Sequence, residues 1–270
     1  MPVSLAFALA LAIEPAQANI SYDQHPETVL DVYSPPSAGA KKRPAVIVIH
    51  GGGWVSGEKK AMIPNFVEPY LNKGFAVINV EYRLAKAAIA PAAVQDALNA
   101  AEWVRKNGDK YNIDTKRLIV TGSSAGAHLS LMVAMTPKSA GFGPTGKIAA
   151  VINCWGITDV EDQIEGPGER AYAVQWIPPT VPERRLFARK LSPLTYVRKD
   201  NPPVFTIHGD ADPTVPYEQG VALTKALMNA KVTAELYSLR GAKHGFPPER
   251  RDEIYSQVWP FLIKLGLMPE

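Results

Sequence analysis

The pentapeptide Gly122-Ser123-Ser124-Ala125-Gly126 constrains this chain more than any other stretch. It follows a short β-branched apolar run, Leu118-Ile119-Val120-Thr121, and precedes an apolar segment that reads as a helix beginning near Ala125. G-x-S-x-G between a strand and a helix specifies a turn so tight that a side chain at 122 or 126 would strike neighbouring backbone. Such a turn holds Ser124 at the carboxyl edge of a sheet, above the free N–H groups of a helix N-terminus. A hydroxyl in that place can attack a carbonyl, and the Ala125 N–H can bind the oxyanion that forms. The competing reading is an ordinary Gly/Ser turn with no chemistry.

A second motif upstream decides between them. Ala45-Val46-Ile47-Val48-Ile49 is a buried-strand run that ends in His50-Gly51-Gly52-Gly53-Trp54. Three consecutive glycines leave a backbone that a substrate oxygen can approach closely. By analogy with HGGG-type loops, Gly52 and Gly53 supply oxyanion-hole N–H groups that converge with that of Ala125. The two motifs in this order imply an α/β-hydrolase.

The rest of the chain alternates in the same sense. Thr28–Tyr33 reads as an edge strand, Ile63–Asn72 as a helix closed by Gly74, Phe75–Val80 as a buried strand, and Ala92–Asn107 as a helix stopped at Gly108. Strands follow at 149–154, 203–207 and 233–237, with helices at 217–229 and 254–265. A polar, proline-rich segment, 159–200, interrupts the alternation. The expected fold is α/β: one domain over 19–270, a mostly parallel central sheet with helices on both faces, and a short cap-like insertion.

A serine hydroxyl needs a base, and in this fold the order is Ser, then Asp or Glu, then His. His25 and His50 precede the elbow. His128 lies one helical turn beyond Ser124 and reads as packing. His208 closes a strand and reads as structural. His244, in the loop Arg240-Gly241-Ala242-Lys243-His244-Gly245-Phe246, is left as the base. His208-Gly209-Asp210-Ala211-Asp212-Pro213-Thr214-Val215-Pro216 offers two carboxylates, and spacing does not choose between Asp210 and Asp212.

The pattern H-G-D-x-D-x-x-V-P with H-G-F some thirty residues on, together with Leu30–Tyr33, His50–Trp54, Tyr82-Arg83, Gly122–Gly126 and Ser192-Pro193, resembles bacterial bifunctional feruloyl and acetyl-xylan esterases, over almost the whole chain. The resemblance implies that Asp212 is the acid and Asp210 its structural neighbour. It also implies that Arg83 and Asp96 brace the loop behind the oxyanion glycines. Ala127 stands where the family often has glycine. The expected activity is hydrolysis of feruloyl or acetyl esters on xylan or its oligosaccharides, with no cofactor. The alternatives are a short-chain carboxylesterase, an amide-cleaving relative, or a non-catalytic binding protein on the same scaffold. Trp54, Trp155 and Trp176 are candidate substrate-binding residues, and Tyr172, Trp176 and Phe187 a candidate aromatic cover over Ser124.

Composition fits one globular domain. The 270 residues, 46% hydrophobic, are ample for one large core, and the net charge of +3 is scattered, with no basic stripe interleaved with aromatics to bind nucleic acid. No metal-ligand spacing occurs among the five histidines and one cysteine, and Cys154 reads as a small buried apolar residue. The apolar run 3–13 followed by Ala16-Gln17-Ala18 has the outline of an export signal cut after Ala18, and is too short to span a bilayer. It lacks the expected preceding Lys or Arg. The expectation is a secreted or periplasmic protein without stable membrane insertion.

Overall fold

The computed structural model describes residues 13–35 and 41–270. The export run 3–13, apart from Ile13, lies outside the described residues, as does part of the turn at 34–37; the cut after Ala18 falls inside the first strand. Eight strands form one sheet: β1 (Gln17–Ser21), β2 (Val29–Tyr33), β3 (Arg43–Ile49), β4 (Ala76–Val80), β5 (Ile113–Ser123), β6 (Ala150–Cys154), β7 (Val204–Gly209) and β8 (Ala234–Leu239), in the order β1-β2-β4-β3-β5-β6-β7-β8. β1–β2 and β2–β4 are antiparallel, and every other pair is parallel. The central strands are apolar throughout because helices cover both faces. Along β3, Ala45, Ile47 and Ile49 enter one core layer, and Val46 and Val48 the other.

The first layer is closed by α2 (Ala92–Asn107), α3 (Ala125–Met135) and α7 (Tyr217–Asn229), and the second by α1 (Glu68–Asn72) and α8 (Arg251–Lys264). The stretch 159–200 forms three short helices, α4 (Glu161–Ile164), α5 (Ala171–Trp176) and α6 (Arg184–Lys190), above the carboxyl ends of the strands. Two readings need correction. Thr28–Tyr33 is not the edge: β2 is flanked by β4 and by β1, in which only Ile20 is half-buried and the other four residues are exposed, so it carries no strand pattern. The 63–72 helix opens with a wide turn over Ile63–Val67 before α1, where Pro64 and Pro69 each remove a backbone donor.

Candidate active site

The parallel strands β3, β5, β6 and β7 all point their carboxyl ends to one edge, and the loops leaving them meet there. Ser124 sits between β5 and α3 with φ 55 and ψ −120, a strained conformation for a side-chain-bearing residue. Its N–H donates to the Cys154 carbonyl at 3.0 Å, which ties the turn to β6. A Cβ at position 126 would lie 2.1 Å from the Ile49 carbonyl oxygen, and one at 122 would lie 2.4 Å from that oxygen. The elbow and the strand feeding the glycine loop are therefore in backbone contact, and only glycine admits it. Ala127, one position on, is fully buried.

The loop after β3 passes Gly52 and Gly53 at φ +111 and +60. It is braced from behind. Tyr82 stacks on the His50 ring with centroids 4.2 Å apart and donates its hydroxyl to the His50 carbonyl at 3.1 Å. His50 Nε2 lies 3.0 Å from Glu81 Oε1. Burial pushes the Glu81 carboxyl up, but hydrogen bonds and charge from His50 and Lys59 outweigh it and hold the group below its ordinary value. Arg83 makes the expected pair with the fully buried Asp96, at 2.6 Å.

From the other end of the sheet come two loops that touch. A Cβ on Gly209 would lie 2.3 Å from the Ala242 carbonyl, and the Ala211 N–H donates to that same carbonyl. This contact places His244 between Ser124 and Asp212: His244 Nε2 is 2.9 Å from Ser124 Oγ, and Nδ1 is 2.7 Å from Asp212 Oδ2. The Asp212 side chain is fully buried, and the N–H groups of Thr214 and Val215 donate to its Oδ1 at 2.8 and 3.0 Å. Burial alone would raise its pKa. Hydrogen bonds from His208, His244 and the Thr214 N–H, with the charge of His244, outweigh burial and hold the carboxyl well below the usual range. Asp210 points elsewhere and accepts the Gly241 N–H at 2.6 Å.

Above Ser124 lies an open cavity of about 450 Å³, lined by the glycine loop, His244, Trp155, Tyr172, Met62, Phe66 and Phe246. Trp155 and Phe246 meet edge to face at 5.8 Å, and Phe246 meets Phe66 in the same way at 5.6 Å, so one wall is aromatic. Of the three tryptophans expected to bind substrate, Trp155 alone lines this cavity. Trp54 and Trp176 are fully buried and stacked on each other at 4.0 Å, with the Trp54 indole N–H donating to His128 Nδ1. They are core because α5 folds inward over the glycine loop. Phe187 likewise packs against the core rather than over Ser124. Of the expected cover, only Tyr172 reaches the cleft, against Gly53, with its hydroxyl donating to Gln163 at 2.6 Å.

His128 is buried, as its packing reading requires, with Nε2 2.7 Å from the Leu191 carbonyl; burial lowers its pKa to about 4. Burial raises the Cys154 thiol to about 12. Sequence reasoning missed Met62 and Phe66, whose i, i+4 spacing just after the glycine loop was the available signal. It also missed the contact between His208 and Asp212, which no local pattern announces. Among the described residues no three His, Cys, Asp or Glu side chains gather as metal donors, and no helix is long and apolar enough to cross a membrane.

A model of the family described as BD-FAE matches residues 30–227. The chain is 29% identical to Esterase LipC of Mycobacterium tuberculosis over 239 residues, 84% of this chain and 59% of that one. It is 30% identical to an ethyl acetate hydrolase of Pseudomonas putida, over 80% of this chain and 70% of the relative. The chain spans about half the length of the mycobacterial relatives it matches, from 49% to 59%. Among solved structures, a truncated form of a carbohydrate esterase from gut microbiota superposes with a TM-score of 0.81 at 29% identity, covering 92% of this chain and 95% of that one.

Proposed function

Since the chain belongs to the BD-FAE family of α/β-hydrolase esterases, we propose that it hydrolyses carboxylic esters through an acyl-enzyme on Ser124. The observation that carries this is the relay from Ser124 Oγ through His244 to the buried Asp212 carboxylate, at 2.9 and 2.7 Å, on the floor of a cleft beside the glycine loop. His244 Nε2 takes the hydroxyl proton as Oγ bonds to the ester carbon, and Asp212 holds the ring with its proton on Nδ1. The N–H groups of Gly52, Gly53 and Ala125 bind the oxyanion; loss of one such donor costs about two to three orders of magnitude in rate. The tetrahedral adduct collapses, and the alcohol leaves with the proton from His244. Water, deprotonated by His244, then releases the acid and restores Ser124.

The substrate we propose is a feruloyl or acetyl ester on xylan or its oligosaccharides. The wall of Trp155, Phe66 and Phe246 offers ring faces and edges to an aromatic acyl group, and a structural relative is described as a carbohydrate esterase. A small-ester reading is favoured by the ethyl acetate hydrolase relative. Measuring kcat/KM for methyl ferulate, acetylated xylo-oligosaccharide and p-nitrophenyl acetate to octanoate separates them, with Ser124→Ala as the blank. Turnover of the first two at or above the p-nitrophenyl esters supports the carbohydrate reading. Turnover confined to p-nitrophenyl esters overturns it and leaves the generic esterase.

A further inference from the structure

Asp212 has a second histidine partner. His208 is the fifth residue of β7 and fully buried, and its Nε2 lies 3.3 Å from Asp212 Oδ2, the same oxygen that faces His244. Nε2 also lies 3.0 Å from the Val215 carbonyl. A carbonyl and a carboxylate can only accept, so the ring proton sits on Nε2, bonded to the Val215 carbonyl with the carboxylate oxygen beside it. Nδ1 has no hydrogen-bond partner, and it faces Gly220 of α7 so closely that a Cβ there would lie 2.9 Å away. The ring is thus locked: α7 blocks one edge, and Tyr217 closes on it edge to face at 5.8 Å. Thr214 and Val215 fix Oδ1 of the carboxylate through backbone donors, whereas Oδ2 has only side chains to orient it.

We infer that His208 is a positioning residue for the acid–base pair. It donates Nε2–H to Asp212 Oδ2, fixes that oxygen toward His244, and draws off part of the negative charge that His244 feels. The inference rests on the catalytic reading of Ser124, His244 and Asp212. Its consequence has a definite sign. With the His208 donor present, Oδ2 is shared between two ring N–H groups and is a weaker acceptor for His244. Without it, that acceptor strengthens, and the acid limb of the rate profile is expected to move up. The other ionisable or charged groups facing this carboxylate and its loop are Tyr172 and Arg170 from the cap. Arg170 binds the carbonyls of Pro213 and Thr214, and Tyr217 faces the His208 ring; none of these donates to Oδ2.

Glutamine and methionine are close in length to histidine and to each other, and only glutamine carries an N–H at the reach of Nε2. His208→Gln is expected to keep kcat/KM within about threefold and to leave the acid limb in place, since its amide restores the donor. His208→Met is expected to move the acid limb of kcat/KM up by about half to one pH unit, with a fall of about three- to tenfold at pH 6 that shrinks toward pH 9. A histidine that merely packs would lower thermal stability in both variants and scale the whole profile without moving the limb. That outcome overturns the inference. Should the variants not fold, ring ¹⁵N shifts of the histidine-labelled wild type decide it: a proton on Nε2 and none on Nδ1 of His208 is expected, and a proton on Nδ1 is incompatible. Fluorophosphonate labelling of the wild type keeps the two readings apart. An unlabelled wild type defeats the catalytic reading and this one with it. A labelled wild type whose limb is unmoved in His208→Met defeats the His208 assignment alone.

Discussion

The two sides of the cleft hold their residues by different means. On the elbow side, the turn at Ser124 and the loop from His50 to Gly53 are fixed by backbone against backbone. The Ile49 carbonyl lies within 2.4 Å of where a Cβ on either Gly122 or Gly126 would stand. On the cap side, Tyr172 is presented by short helices tied down by side chains: Arg185 and Arg189 on Glu161, and Arg170 on the Pro213 and Thr214 carbonyls, over a few buried anchors such as Trp176 and Leu191. Backbone contacts leave no slack, because an interior close-packed at main-chain distance cannot shift to admit a methyl group. Exposed ion pairs are screened and exchangeable. In the proposed mechanism the side that meets a developing oxyanion is built from the stiff kind of contact, and the side that meets the variable part of a substrate from the yielding kind.

Gly126→Ala should break the stiff side outright. The new methyl would sit 2.1 Å from the Ile49 carbonyl and 2.4 Å from that of His50. The loss expected is about 4 kcal/mol or more, a large share of the total stability of a typical domain. Thermal melting with circular dichroism reads this directly; a variant that melts within a few degrees of the wild type would show that the contact can relax.

His128 links the two sides, accepting from Trp54 of the glycine loop and donating to Leu191 beside the cap. Burial holds it neutral, with its pKa lowered from 6.5 to about 4. The unfolded chain therefore takes up this proton near pH 6.5 while the folded chain does not until about pH 4. Stability falls across that window as the pH drops, by about 3 kcal/mol at most. Urea unfolding at pH 7 and pH 4.5 should show the fall in the wild type and a smaller one in His128→Asn. An equal fall in both would assign it to other groups.

The yielding side should hardly notice the loss of one carboxylate and its two ion pairs. Glu161→Gln removes the carboxylate shared by Arg185 and Arg189, both more than half exposed, and the expected cost is no more than about 1 kcal/mol, shrinking further in 0.5 M salt. A loss of several kcal/mol, insensitive to salt, would make the cap as rigid as the elbow.

The same contrast explains what could be read in the sequence. Parallel strands buried on both faces leave continuous apolar runs, so β3, β4 and β6 were visible, as was α2 with its stop at Gly108. The elbow and the glycine loop were visible because backbone contact writes itself as glycine. Choosing Asp212 over Asp210 needed resemblance: both sit on one loop, and only the tertiary meeting of Gly209 with Ala242 decides which carboxylate turns inward. β1 was missed because an exposed edge strand has no burial pattern. Trp54 and Trp176 were misjudged because an aromatic beside a cleft and one beneath it look alike until α5 is folded over them. The donor from His208 to Asp212 arises from packing by α7, and so leaves no local signal.

The central claim is that Ser124, His244 and Asp212 act as one nucleophilic unit. A fluorophosphonate probe followed by peptide mass spectrometry tests it most directly, on the wild type, Ser124→Ala, Asp212→Asn and Asp210→Asn. The adduct should map to Ser124 in the wild type, vanish in Ser124→Ala, form several orders of magnitude more slowly in Asp212→Asn, and form at a near-normal rate in Asp210→Asn. A wild type that stays unlabelled, or an adduct on a serine other than Ser124, would contradict the account.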